Sequence, residues 1–410
     1  MELAEGLRVI VRDGRLHKAI LYLDHWDSIL VDHRPPNHLL DILLPYEHAI
    51  ITAGERYWQP RNPQNGRSVF IVHFPELDYN GRLHIWQQYA PQLDVSGLAN
   101  HFQFTPGQIR DAATTAQDMA QWANESLNTR HFLEASRAHS NQNLADLAQK
   151  VNPRHNWDDL ILPPDPLAQL REMVNQARQR PTVHDQWGFG KKLPGHGISA
   201  LFTGEPGTGK TMSAGIIAQE LGLDLYKVDL SALVSKYIGE TEKNLDRVFT
   251  EANTSNAVLF FDEADSIFGK RSEVKDSHDR YANLEISYLL QRMEGYDGIA
   301  ILATNMRANL DEAFTRRFDF ITDFPFPDAD YREAIWRIHF PTSAPFSDDI
   351  DIPLLARRYR MAGGNIRKIV VAAAFIAAKE NTPIGMAHIL HATRREYQKM
   401  GRLIEESLFE

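Results

Sequence analysis

At 410 residues the chain has room for roughly two to three domains, and its 43% hydrophobic and 24% charged residues are those of a globular protein in water. It contains no cysteine, which removes disulfides and thiolate zinc sites, and its formal charge of −10 argues against nonspecific nucleic-acid binding. The N-terminus MELAEGLRVIVRDG lacks a signal-peptide core, and the most apolar stretch, Ile369–Ala378, is far too short to span a bilayer; a cytoplasmic protein without a membrane span is expected.

Residues 1–100 hold no glycine-rich phosphate motif, and the amphipathic pieces of Phe132–Pro153 read as a connector. Ile198–Phe202 (ISALF) suits a buried strand. It opens into Gly204, Glu205, Pro206, Gly207, Thr208, Gly209, Lys210 and Thr211, which meet the spacing G-x-x-x-x-G-K-[ST]. Glycines there let backbone N–H groups curl around phosphates, Lys210 reaches the β- and γ-phosphates, and the Thr211 hydroxyl binds Mg²⁺. Met212, Ile216, Ile217 and Leu221 then continue at helical spacing until Gly222, so an anion would sit at a helix N-terminus.

Next comes Ser235–Leu245 (SKYIGETEKNL), which sets Lys236, Tyr237 and Ile238 before Gly239 and an amphipathic helix. A flat ring on a loop can grip polypeptide by dispersion without reading its sequence, the bland alternative being a tyrosine packed under the loop. Val258–Phe261 (VLFF) runs into Asp262-Glu263-Ala264-Asp265. Carboxylates after a strand are mostly a solvated end; beside a phosphate loop, Asp262 would hold Mg²⁺ and Glu263 would orient or deprotonate water. The charged stretch Gly269–Arg280 reads as either a second channel loop or a disordered connector. Ile299–Ala303 ends in Thr304-Asn305, a polar pair placed for a γ-phosphate or a water. Arg316 and Arg317 precede Phe318-Asp319; such a pair is ordinarily just surface, but between ring subunits it can act as an arginine finger.

In combination these segments resemble the AAA ATPases of the AAA+ superfamily over about Trp157–Arg394. WDDLILP (Trp157–Pro163) is similar to the family's opening segment, which implies that the backbone of Asp159 and Leu160 lies against adenine. GEPGTGKT resembles Walker A, LFFDEAD Walker B, LATN sensor 1 and TRRFD the arginine-finger stretch. IWRIHFP (Ile335–Pro341) resembles the start of the helical lid, which implies that His339 contacts nucleotide, and GGNIRK (Gly363–Lys368) resembles the lid segment above it, with Gly364 and a sensor-2 candidate in Arg367. The Lys236-Tyr237-Ile238 stretch resembles the first pore loop.

A repeat emerges when the two halves are compared. Ala19–Leu30 matches Ala257–Phe268, keeping Asp24 for Asp262 but His25 for Glu263. Ile50–Gly54 parallels the LATN strand with Gly54 at the place of Asn305, Phe70–Pro91 lies without gaps on Phe320–Pro341, and Leu98–Arg110 lies on Leu355–Arg367. Arg67 falls on Arg317. The first copy thus reads as a degenerate module without its own phosphate loop, and a half-sheet with an open edge favours truncation from a longer product.

The expected fold is α/β: a P-loop NTPase parallel sheet sandwiched by helices plus a helical lid, preceded by a truncated degenerate copy. Expected boundaries are 1–90 for the degenerate α/β part, 91–130 for its lid-like helices, 131–156 for a connector, 157–335 for the ATPase α/β domain and 336–410 for the lid. The expected function is ATP hydrolysis with Mg²⁺ by a homo-oligomeric ring, a hexamer in this family, that threads or pulls apart a protein substrate. Such two-module chains also resemble the ATPases of bacterial contractile injection systems. The alternatives are a nucleic-acid motor or loader, which the acidic balance opposes; the ATPase half of a membrane protease, whose H-E-x-x-H helix is missing; and a non-catalytic scaffold, which Lys210, Glu263 and Asn305 oppose.

Overall fold

The computed structural model describes residues 2–31, 34–54, 58, 68–75, 77–140, 144, 147–191, 197–233, 240–255, 257–265, 277–305 and 312–401. The chain divides into two compact units, Met1–Pro75 and Glu76–Glu410.

In the first unit, helices α1 (Glu2–His17) and α2 (Asn37–Leu43) accompany two parallel strands, β1 (Leu21–Leu23) and β2 (Ile50–Thr52). Its small core gathers Leu7, Val11, Leu21, Trp26, Leu39, Leu43 and Tyr46. Residues 68–75 form no strand, and Phe70 and Phe74 are 87% and 91% exposed.

The second unit begins with four helices, α3 (Tyr79–Tyr89), α4 (Ser96–His101), α5 (Pro106–Ala123) and α6 (Thr129–Ser140), packed around Trp86, Phe102, Phe104, Ile109 and Phe132. Helix α3 belongs to this cluster through Trp86, whereas the sequence pattern set the start of the helical part at residue 91.

An α/β body follows: β3 (Gln149–Val151), α7 (Pro164–Arg180), β4 (Ile198–Thr203), α8 (Lys210–Leu221), β5 (Leu225–Asp229), α9 (Glu240–Ser255), β6 (Val258–Asp262), α10 (Ser277–Glu294), β7 (Ile299–Thr304) and β8 (Phe320–Asp323). The sheet order is β3-β5-β6-β7-β4-β8, parallel throughout except for β3. Every residue of β4 and β7 is buried, because helices cover both faces of a parallel sheet and leave it nothing to alternate with. Leu170, Met173, Ile216, Ile217 and Phe260 fill one face; Val248, Phe249, Phe261, Leu289 and Met293 fill the other. The loops after β4, β6 and β7 therefore open at one carboxyl edge, where ligands bind in open α/β sheets.

The chain closes with a lid of α11 (Ala329–Ile338), α12 (Ile352–Arg358), α13 (Gly363–Glu380) and α14 (Met386–Lys399) around fully buried Trp336, Leu355, Tyr359 and Ile366.

The two helical clusters share a set of matching hydrogen bonds. Asp78 caps α3 through the Gly81 N–H at 2.7 Å, and Asp328 caps α11 through the Tyr331 N–H at 3.0 Å. Arg82 Nε donates to the Ala99 carbonyl at 2.9 Å, and Arg332 Nε to that of Ala356 at 2.8 Å. His131 Nδ1 accepts from the Asn128 N–H while its Nε2 faces Glu125; His388 does the same with Gly385 and Glu380. Asn124 and Asn381 end α5 and α13 in the left-handed region, both at φ 54°.

The α/β parts repeat too. Asp24 Oδ1 accepts from the His25 N–H at 2.9 Å and Asp262 Oδ1 from the Glu263 N–H at 3.0 Å, and both following residues are left-handed, at φ 50° and 55°. The ladder corrects one pairing by a residue. Leu21 faces Ile50 as Leu259 faces Ala300, and the Trp26 N–H bonds the Ala53 carbonyl as that of Ala264 bonds Ala303. Gly54 is thus the counterpart of Thr304, not of Asn305; strand register counts hydrogen bonds, which a residue match across two short apolar runs does not. The counterpart of Asn305 is position 55, outside the described residues, as is Arg67.

Candidate active site

Between β4 and α8 the chain turns through three glycines with positive φ: Gly204 at 147°, Gly207 at 81° and Gly209 at 110°. A Cβ on Gly204 would run into the Phe324 carbonyl, so this glycine serves the close approach of β8 rather than the ligand. Gly209 is the N-cap of α8 and offers no side-chain cap, which leaves the helix's first N–H groups open to an anion.

Lys210, the first residue of α8, is 8% exposed. Its ammonium donates to the carbonyls of Gly204 (2.5 Å) and Glu205 (3.1 Å) and to Asn305 Oδ1 (2.9 Å). Burial pushes Lys210 below the usual lysine range, with Asp262 and Asp265 opposing that shift.

Asn305 is locked by Asp265. Its backbone N–H donates to Asp265 Oδ1 at 2.9 Å and its Nδ2 to Oδ2 at 2.7 Å, while the Thr304 hydroxyl donates to the same carboxylate. The Asn305 amide orientation is therefore fixed, with its oxygen turned to Lys210. Sequence reasoning gave Asp265 no role; its place three residues after Asp262 was the available signal.

Glu263 follows β6 in a left-handed conformation, which costs a non-glycine residue about 1–2 kcal/mol and persists only where surrounding bonds hold it. Here the Glu263 N–H is tied to Asp262 Oδ1 and the Ala264 N–H to the Ala303 carbonyl at 3.1 Å.

These groups line a cavity of about 490 Å³, a size suited to a nucleotide. Pro206, Gly207, Thr208, Gly209, Lys210, Thr211 and Met212 form one wall, and Asp262, Glu263 and Asn305 stand beside them. Asp159 and Leu160 enter from the segment before α7; His339, Gly363, Gly364 and Arg367 come from the lid. The lid touches the phosphate loop directly, the Gly364 N–H donating to the Gly207 carbonyl at 3.1 Å. Burial pushes the His339 imidazole down, with Arg367 and His155 adding to the effect and Asp159 opposing it. Gly204 and Glu205 of the loop do not line the cavity, nor do Arg316 and Arg317, which lie after β7 with Arg317 Nε 3.6 Å from Glu294. Lys236, Tyr237 and Ile238 lie outside the described residues, as does 269–276.

The donor set fits a nucleoside triphosphate with a hard divalent cation. Thr211 and Asp262 present oxygen ligands to the cavity, and among the described residues no three His, Asp or Glu side chains form an all-protein cage; a cation would take its remaining oxygens from phosphate and water.

Residues 200–326 match the family model described as "ATPase family associated with various cellular activities (AAA)", and residues 78–142, spanning α3–α6, match "Contractile injection system ATPase helical domain". The chain is 35% identical to an AAA family ATPase of Sinorhizobium fredii, over 45% of this chain and 54% of that protein. It is 33% identical to the proteasome-activating nucleotidase 1 of Haloferax volcanii, over 60% and 62%, and 32% identical to the katanin p60 ATPase-containing subunit A1 of Strongylocentrotus purpuratus, over 52% and 42%. The chain thus spans about half the length of the curated relatives it matches. Among the described residues no helix is long and apolar enough to cross a membrane.

Proposed function

From the premise that the chain carries an AAA ATPase domain behind a helical domain of the contractile-injection type, we propose that it is the ATP-hydrolysing subunit of a protein-remodelling ring. The observation that carries the reading is the Lys210–Asn305–Asp265 network beside Asp262 and Glu263, set at an uncapped helix N-terminus. The α8 N-terminus and the N–H groups of Gly207, Thr208 and Gly209 bind the phosphates, and Lys210 turns from the Gly204 and Glu205 carbonyls to a phosphate oxygen. Thr211 and Asp262 hold Mg²⁺, which supplies charge neutralisation on the transferred phosphoryl group. Glu263 takes a proton from the attacking water, and Asn305, held by Asp265, orients that water or the γ-phosphate.

We read the chain as a degenerate α/β part (1–90), lid-like helices (91–130), a connector (131–156), an ATPase α/β domain (157–335) and its lid (336–410). Arg316 or Arg317 would complete the site of a neighbouring subunit, since neither lines the cavity of its own chain. Lys236, Tyr237 and Ile238 would form the pore loop that grips a protein substrate. A hexamer is the assembly that the resemblance to the AAA ATPases implies, and service to a contractile injection system is suggested by the match over 78–142. The test is Glu263→Gln: nucleotide affinity should stay within about twofold while turnover falls on the order of a hundredfold or more. Wild-type turnover in that variant would remove Glu263 and the proposed chemistry with it.

A further inference from the structure

The Asp262 carboxylate has both oxygens engaged. Oδ1 accepts the Glu263 N–H, and Oδ2 lies 2.6 Å from the Lys227 ammonium, which reaches over from the neighbouring strand β5. Lys227 is not part of the cavity wall, so it holds Asp262 from the flank of the sheet. Register explains why a cation stands there. In the β5–β6 ladder Asp229 is directly opposite Asp262, a pairing of like charges that costs stability unless a cation sits close by. Lys227 is two residues back along β5, on the same face as Asp229 by strand alternation. The pair is partly buried, Lys227 at 33% and Asp262 at 20% side-chain exposure, so water screens it only in part.

We propose that Lys227 is a positioning and charge-tuning residue for Asp262: it fixes the carboxylate's rotamer and cancels part of its charge, so that the site holds a divalent cation only weakly until nucleotide phosphates add theirs. The inference rests on the nucleotide-site reading above. Two effects of the ammonium oppose each other on the metal. Orientation of Asp262 favours binding, whereas a positive charge against a metal ligand disfavours it. The backbone tie from Glu263 already fixes one oxygen, so loss of the lysine removes more repulsion than order.

The test uses the full chain in a Glu263→Gln background, with a fluorescent N-methylanthraniloyl ATP titrated at rising Mg²⁺. Lys227→Met should lower the Mg²⁺ concentration at half-maximal binding about three- to tenfold. Lys227→Arg, which keeps the charge, should retain the parent's requirement, and Lys227→Gln should follow Lys227→Met if the latter folds poorly. An unchanged or raised requirement in the neutral variants overturns the proposal, and so does a parent whose nucleotide binding ignores Mg²⁺. If the parent binds no nucleotide at any Mg²⁺ concentration, the site reading itself has failed. That outcome is distinct from a parent that binds normally with variants that do not differ from it.

Discussion

Two helical clusters in this chain share their aspartate caps, a fully buried tryptophan, an arginine that donates to the next helix and their histidine clamps, yet they treat one helix end in opposite ways. Thr105 and Gln108 seal the N-terminus of α5 with reciprocal hydrogen bonds of 3.3 and 2.9 Å. At the matching place α13 begins after Ala362, which offers no side-chain cap, and its Gly363 and Gly364 face the cavity and the phosphate loop. The α/β parts differ likewise. Both keep the aspartate and the left-handed residue after it, but one carries His25 where the other carries Glu263. The two copies thus agree in the frame around the strand end and the helix end and differ at Glu263 and Gly364, which in the second copy line the cavity.

The contrast can be broken most forcefully by setting the buried lysine of the second copy against the strand-end aspartate of the first. Lys210→Ala should abolish nucleotide binding, on the order of a hundredfold or more, since the loop would lose its only buried cation among the described residues. Asp24→Ala should leave affinity within about twofold, and equilibrium titration of both variants decides; a comparable loss in Asp24→Ala would show that the first copy still serves the site.

A subtler pair separates capping from ligand contact. Thr105→Ala should cost about 1 kcal/mol of stability by denaturant titration with nucleotide affinity unchanged. Gly364→Ala should do the reverse, because a Cβ there would come 3.3 Å from the Gly207 Cα; affinity should drop a few-fold with little change in stability. If either variant moved both quantities equally, the two helix ends would not be functionally distinct.

The smallest effect concerns acid. His101, on α4, is pushed down to about 4, first by burial and then by the Arg137 cation. The unfolded chain takes up a proton near pH 6.5 that the native state refuses until about pH 4, so stability present above pH 6.5 is lost as the pH falls through that window. His101→Gln should flatten this part of the thermal-midpoint profile and leave the midpoint at pH 7.5 within about 4 °C. A profile identical to wild type would sink the assignment.

Much of this was legible beforehand where chemistry and strand coincide in sequence. The run ISALF-x-GEPGTGKT announces both β4 and its phosphate loop, and VLFFDE announces β6 and the residues beyond it, because buried parallel strands read as unbroken apolar runs. Asp265 and Lys227 escaped because their roles depend on neighbours 40 and 35 positions away, brought close by the sheet order. The one-residue slip at Gly54 has a similar origin: short apolar strands align almost equally well in two registers, and hydrogen bonds choose between them.

One arrangement has a mechanical meaning. Helix α8 runs 12 residues, about 18 Å, from the open loop at Lys210 to Gly222. There Arg137 of α6 donates to the Gly222 carbonyl at 2.5 Å, and Arg178 of α7 donates to the Glu220 carbonyl at 3.1 Å. A helix is stiff along its axis, so α8 works as a push-rod gripped at its far end by a guanidinium collar on the upstream helices. The open N-terminus at Lys210 and the guanidinium groups at Gly222 and Glu220 are thus the two ends of one stiff element.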